Sequence, residues 1–207
     1  MKKGTILFDI DRTIFDTDGP SIIRNQAILK MLGSPPIEEF NKVKFDYKLT
    51  LKNEREYIPE DYVKILCDKY NFKDIDALID TYYGNEYNIL YKKSVYPEFL
   101  KIAKILISKY RLGIFSEGYK RFRENRLKSM DIGKYIDSDL VFMFDAKDTS
   151  GAISKLPKKS IVVDDKETIC QFLTDNGFRA IWINRKDDRK SDNFETIYSL
   201  LELPAIL

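Results

Sequence analysis

Five short apolar runs punctuate the chain: Thr5–Phe8, Leu112–Phe115, Leu140–Phe144, Ile161–Val163 and Ala180–Ile183. Each is too short for a helix and holds few charges, the pattern of strands covered on both faces. Between them run patterns of helical period. Pro97–Tyr110 has an apolar face at Phe99, Ile102, Ala103, Leu106 and Ile107, with Pro97 suited to its first turn. Tyr119–Met130, Glu167–Asn176 and Asn193–Leu201 are also expected to be helices, and Asn176-Gly177 supplies a stop for the second of these. Strands alternating with helices of this length predict an α/β fold built on a parallel, doubly wound sheet.

Residues 17–93 break the alternation. Amphipathic stretches such as Ser21–Leu32 and Glu60–Tyr70 are separated by Gly33-Ser-Pro-Pro36 and Ile58-Pro59, with no strand pattern and no internal repeat. The expected organisation is an α/β core from 1–16 and 94–207, interrupted after its first strand by a mostly helical insert over 17–93. An insertion there belongs at the C-terminal edge of the strands, where open α/β sheets bind ligands, and so reads as a lid.

Composition narrows the partners. The 207 residues are 43% hydrophobic and 33% charged, with 35 basic against 33 acidic residues and a net charge of +2. That balance gives no reason to expect a nucleic-acid or membrane partner. Asp9 interrupts the first apolar run, so no signal peptide or membrane span is expected at the start. Cys67 and Cys170 are isolated, so no disulfide framework is expected and a reducing cytoplasm is the default location. There is no histidine. Ser-His or Cys-His nucleophile pairs and His-ligated zinc are therefore excluded within the chain, and proton transfer falls to Asp, Glu, Lys, Tyr or Cys.

The ends of the expected strands carry the chemistry. The first runs into Asp9-Ile-Asp-Arg-Thr13, the second into Ser116-Glu-Gly118, the third into Asp145-Ala-Lys147 and the fourth into Asp164-Asp165. In a parallel sheet these converge on one crevice. Clustered carboxylates repel unless a cation sits among them, and hard oxygen ligands favour Mg²⁺. A lysine, a hydroxyl and backbone N–H groups beside the metal would hold a phosphoryl group. Each motif alone also has a plain structural reading, as a helix cap or a turn. Their occurrence in order at successive strand ends is the stronger signal.

These residues resemble the haloacid dehalogenase superfamily of aspartate-nucleophile phosphohydrolases. Its D-x-D-x-T motif is matched by Asp9, Asp11 and Thr13, its strand-terminal Ser or Thr by Ser116, its lysine by Lys147, and its final acidic pair by Asp164 and Asp165. The resemblance extends from Thr5 to about Asn184. It implies a sheet order of 5-4-1-2-3 and an insert corresponding to a helical, C1-type cap. It further implies that Asp9 attacks phosphorus and forms an aspartyl-phosphate, while Asp11 protonates the leaving group and then deprotonates water. Mg²⁺ would be held by Asp9, the Asp11 carbonyl, Asp165 and Asp164; Thr13, Ser116, Glu117 and Lys147 would line the phosphate site. Asp11 favours phosphate esters, because relatives that cleave carbon–halogen or carbon–phosphorus bonds typically lack it.

The expected activity is Mg²⁺-dependent hydrolysis of a small phosphorylated metabolite. A phosphomutase of the same family and a non-catalytic phosphoacceptor module stand as alternatives. Two departures from the family pattern are notable. Arg12 replaces the usual glycine, either to add a cation near phosphate or as a solvent-facing turn residue. Lys147 precedes Asp148 where proline is common, so Lys155 is a competitor, whereas Lys158 and Lys159 are expected in solvent. In the insert, Arg24, Lys42, Lys44, Lys48, Lys52 and Arg55, with Tyr47, Tyr57 and Tyr62, read as a solvated charged face over a small aromatic core, with contact to an anionic substrate as the alternative.

Overall fold

The first apolar run forms β1 (Gly4–Phe8), which becomes the middle of the sheet because its neighbours pair along both of its edges. Leu7 lies beside Gly113 of β2 (Tyr110–Glu117) and Val162 of β4 (Ile161–Asp164), all in parallel register. β3 (Val141–Phe144) pairs with β2, and β5 (Arg179–Ile183) with β4. The computed structural model describes residues 4–51 and 57–207. With β6 (Glu195–Ile197) at one edge, its sheet has the order β3-β2-β1-β4-β5-β6, every pairing parallel. This is the expected 5-4-1-2-3 order with a sixth strand at the edge.

That sixth strand is a correction. Asn193–Leu201 was expected to be a helix, but Glu195–Ile197 forms β6 against Ile181–Ile183, and Leu200–Glu202 is a single 3₁₀ turn. Thr196 and Ile197 are β-branched, and pairing satisfies the backbone groups that β5 would otherwise leave at an open edge. Ser199 then starts the turn with a capping box completed by Glu202.

The chain divides into two compact units. The first comprises the residues through Asp16, Val95–Glu117 and Asp131–Leu207; the second comprises Thr17–Ser94 and Gly118–Met130. The second therefore takes in a segment that the sequence pattern had grouped with the α/β core.

In the first unit, α6 (Pro97–Leu106) buries Phe99, Ile102, Ala103 and Leu106, with the Phe99 ring meeting Phe8 edge-on at 5.4 Å. A second cluster joins Leu7, Phe115, Val162, Ala180 and Trp182 to Ile169, Cys170 and Leu173 of α9 (Glu167–Asp175). Gly113 is required by close packing, since a Cβ there would overlap the Leu140 carbonyl oxygen and Leu7 Cδ2. The shorter helices α8 (Ser150–Ile153) and α10 (Leu203–Ile206) complete this unit.

The second unit consists of α1 (Asp18–Met31), α2 (Ile37–Thr50), α3 (Pro59–Tyr70), α4 (Ile75–Tyr83), α5 (Asn85–Lys93) and α7 (Lys120–Ser129). Its core contains Ile28, Phe40, Val43, Tyr47, Tyr62, Val63, Leu66, Leu78 and Tyr82. Tyr47 and Tyr62 stack at 5.8 Å. Among the described residues, no helix is long and apolar enough to cross a membrane.

Candidate active site

β1 delivers Asp9 to the C-terminal edge of the sheet, and the Asp9 N–H donates to the Val163 carbonyl at 2.9 Å. That bond continues the β1–β4 ladder by one residue and sets Asp9 beside Asp164 and Asp165. Carboxylate oxygens of the three lie within 4.8 Å of one another. Like charges this close would repel if nothing balanced them.

Lys147 supplies part of the balance. Its side chain is only 1% exposed; Nζ donates to Asp9 Oδ1 at 2.8 Å and also to Asp164 Oδ2. Burial works against the ammonium, but Asp164 and Asp9 outweigh it and push its pKa upward. The carboxylates move in the same direction. Burial raises Asp164 to about 6, with Lys147 opposing and Asp9 adding to the rise. Burial, followed by the charges of Asp9 and Asp164, raises Asp165 to about 7. Three acids around one buried ammonium leave an excess of negative charge, and oxygen donors are the set that a hard divalent cation takes.

The loop after β1 is wound around the Ile10 carbonyl, which accepts N–H bonds from Thr13, Ile14 and Phe15 at 3.4, 3.1 and 3.1 Å. Arg12 donates its N–H to the Phe15 carbonyl at 2.8 Å and has φ +56°, the left-handed conformation that glycine adopts without a Cβ clash. The Gly-to-Arg departure therefore changes the side chain and keeps the backbone geometry. Asp11 is half-buried and forms a bridge with Phe15.

Arg185, at the end of β5, holds this loop from outside. Its Nε donates to the Arg12 carbonyl at 2.8 Å, Nη2 donates to the Thr13 carbonyl at 2.9 Å and to Glu98, and its guanidinium lies 4.1 Å from the Tyr96 ring centroid. The sequence reading missed it, although a cation immediately after the fifth strand was a visible signal of the same kind as those noted at the other strand ends. Beside it a cavity of about 240 Å³ is lined by Arg12, Asp165, Lys166, Asn184, Arg185 and Arg189, among others.

Two hydroxyls complete the arrangement. Thr13 Oγ1 and Ser116 Oγ are buried, and neither has a hydrogen-bond partner. An unmet buried donor is costly and marks a place prepared for a ligand acceptor. Glu117, expected to line the phosphate site, is engaged on both carboxylate oxygens. Its Oε2 accepts from the Lys147 backbone N–H at 2.9 Å and its Oε1 from Lys166 Nζ at 2.6 Å. A carboxylate engaged in this way supports the backbone that carries Lys147. Of the other lysines considered, Lys155 is exposed, with Nζ 5.5 Å from the Phe144 ring centroid, and Lys158 and Lys159 are exposed.

No protein-family model matches the sequence, and no curated protein sequence does. Solved structures match along the whole chain. A haloacid dehalogenase-like hydrolase from Burkholderia xenovorans LB400 superposes with a TM-score of 0.72 at 16% identity, covering 100% of this chain and 97% of the other. The HAD-hydrolase YfnB from Bacillus subtilis, in a form bound to magnesium, gives 0.67 at 18% identity over 100% and 99%. A HAD phosphatase from Thermococcus onnurineus gives 0.66 at 22% identity over 99% and 97%. The chain has the haloacid dehalogenase-like hydrolase fold.

Proposed function

We propose that the protein is a Mg²⁺-dependent phosphatase that hydrolyses a small phosphomonoester through an aspartyl-phosphate on Asp9. One observation carries the reading: a buried cation, three converging carboxylates and two unpartnered hydroxyls occupy the ends of adjacent parallel strands in one unit. Asp9, Asp164 and Asp165, with the Asp11 carbonyl, are the groups that would hold Mg²⁺. When bound, the ion would neutralise phosphate charge and bring the phosphoryl group to Asp9.

Asp9 is a nucleophile that needs no histidine, since a carboxylate is already ionised near neutral pH. One of its oxygens forms the bond to phosphorus as the bond to the leaving alkoxide breaks. Asp11, in its acid form, gives that alkoxide a proton. Asp11 then accepts a proton from the water that attacks the phosphorus of the intermediate, releasing inorganic phosphate and restoring Asp9. Lys147, Ser116 and Thr13 donate to the phosphoryl oxygens, where charge builds in the transition state.

The test is phosphate release from sugar phosphates, nucleotides and an aryl phosphate, with and without Mg²⁺, by the wild type and Asp9→Asn. Metal-dependent release that the substitution abolishes is the expected result. Isomerisation of a sugar phosphate without net phosphate release would identify a mutase. A folded protein that neither releases nor relocates phosphate would overturn the proposal.

A further inference from the structure

The cavity of about 240 Å³ at the C-terminal ends of β4 and β5 belongs wholly to the α/β unit. It adjoins the carboxylate cluster through Asp165, which lines the cavity and also brings a carboxylate oxygen within 4.8 Å of one on Asp9. A group lodged there sits one side chain away from the proposed nucleophile. Pockets for drug-sized ligands run from roughly 300 Å³ upward, so this volume suits one polar group of a substrate whose other end lies at Asp9.

The wall is basic, with five cationic side chains against two acids, Asp165 and Glu167. Three of the cations have carboxylate partners that fix them in place: Lys166 reaches Glu117 at 2.6 Å, Arg185 pairs with Glu98, and Arg189 meets Glu167 at 3.2 Å and Asp187 at 3.4 Å. The other two come from different loops. Lys186 follows β5, is exposed, and has no carboxylate partner among the described residues. Arg12 follows β1 and is half-buried, and Arg185 holds its carbonyl at 2.8 Å, so its side chain starts from a fixed backbone. The φ of +56° at Arg12 is a conformation that glycine would adopt at less cost, and residues held in such conformations gather at ligand sites. Asp165 opposes an anion in the cavity, and Mg²⁺ on the carboxylate cluster would cancel that charge.

Resting on the phosphatase reading, we infer that this cavity takes a second anionic group of the substrate, a phosphate or a carboxylate on the same molecule as the scissile phosphate, and that Arg12 and Lys186 recognise it. The Arg12 guanidinium supplies a planar set of donors that matches either oxyanion, and Lys186 adds a point charge from the opposite loop. The substrate class is then a phosphomonoester that carries a second anion, and uncharged sugar or alcohol esters of phosphate are the poorer substrates.

The experiment is calorimetric titration of the full chain, with Mg²⁺ in excess, by non-hydrolysable probes with one anionic head or two: propylphosphonate, 3-phosphonopropionate and propane-1,3-bisphosphonate, the last two also with a longer carbon linker. At least one two-headed probe should bind about tenfold or more tightly than propylphosphonate, and its second head shows whether carboxylate or phosphate is preferred. Arg12→Gln should remove most of that gain. Lys186→Gln should weaken it by about two- to threefold and, being an exposed substitution, keeps the test decisive where Arg12→Gln does not fold. Lys190→Gln, on the same loop but outside the wall, should retain the gain. Equal binding of all probes, no binding of any, a gain that survives both wall substitutions, or an equal loss in Lys190→Gln would overturn the inference. Because titration requires no turnover, the two readings fail separately: a gain lost in Arg12→Gln with no ester hydrolysed sinks only the phosphatase reading, and hydrolysis without any two-headed gain sinks only this one.

Discussion

Lys147 Nζ stands 2.8 Å from Asp9 Oδ1 and donates to Asp164 as well, so one buried ammonium ties the end of β1 to the end of β4. The contact crosses 138 positions of sequence and lies almost wholly out of water. It neutralises part of an acidic cluster while placing a donor beside the proposed nucleophile. Replacing Lys147 with Met removes the cation and strands the acids. The expected result is loss of phosphatase activity and a fall in the stability of metal-free protein of about 3 kcal/mol or more, read from urea unfolding. Mg²⁺ should restore part of the stability and none of the activity.

Ser116 separates catalysis from stability. Its hydroxyl is buried without a partner, so Ser116→Ala removes a group that gives the metal-free fold no hydrogen bond. Stability should hold or rise by up to about 1 kcal/mol. Activity should fall about 10²-fold if the hydroxyl donates to the reacting phosphoryl group. A parallel loss of both quantities would point to a purely structural role.

The raised acids set a pH dependence with a definite sign. Burial and the neighbouring acids push Asp164 and Asp165 up from 3.8 to about 6 and about 7 in the folded protein, so the folded chain binds more protons than the unfolded chain between those limits. Their contribution to stability is therefore least unfavourable in acid and worsens as pH rises through about 7. Asp165→Asn lacks the second of these penalties. It should gain in Tm relative to wild type on going from about pH 5 to about pH 8, without metal. Mg²⁺ should raise the wild-type Tm more at the higher pH.

Arg185 tests the outer support of the loop. Its fork serves the Arg12 and Thr13 carbonyls and Glu98 together. Arg185→Lys keeps the charge but cannot reproduce that planar set. Stability should fall by about 1–3 kcal/mol. Turnover should fall about tenfold, through displacement of Asp11 and Thr13.

Arg12→Gly asks what the unusual residue contributes. The φ of +56° costs a residue with a Cβ roughly 1 kcal/mol, and glycine returns a similar amount through the greater freedom of its unfolded chain. Stability should stay within about 1 kcal/mol of wild type. Any change in the KM for a phosphate ester then reports on the arginine side chain and not on the loop.

Much of the site was visible in the sequence because its chemistry follows strand ends. An apolar run that stops at Asp9-Ile-Asp, and another that stops at Asp164-Asp165, show both where a strand leaves the core and which groups it delivers. The five apolar runs all became strands, buried on both faces in β1, β2, β4 and β5 and half-buried in the edge strand β3. Asn193–Leu201 was misread because its helical spacing is local, whereas the open edge of β5 that recruits Thr196 and Ile197 exists only in three dimensions. The same limit applied to charges. Lys147 and Lys155 differ little as letters, yet one is buried between two carboxylates and the other faces solvent. Arg24 was one basic residue among several in the insert until folding enclosed it among tyrosines; Lys52 and Arg55 of that group lie outside the described residues. Sequence by itself determined the elements and the acids they carry, since periodicity and strand ends are local properties. Tertiary structure alone decided which cations and hydroxyls lie against them, because desolvation and pairing depend on neighbours distant along the chain.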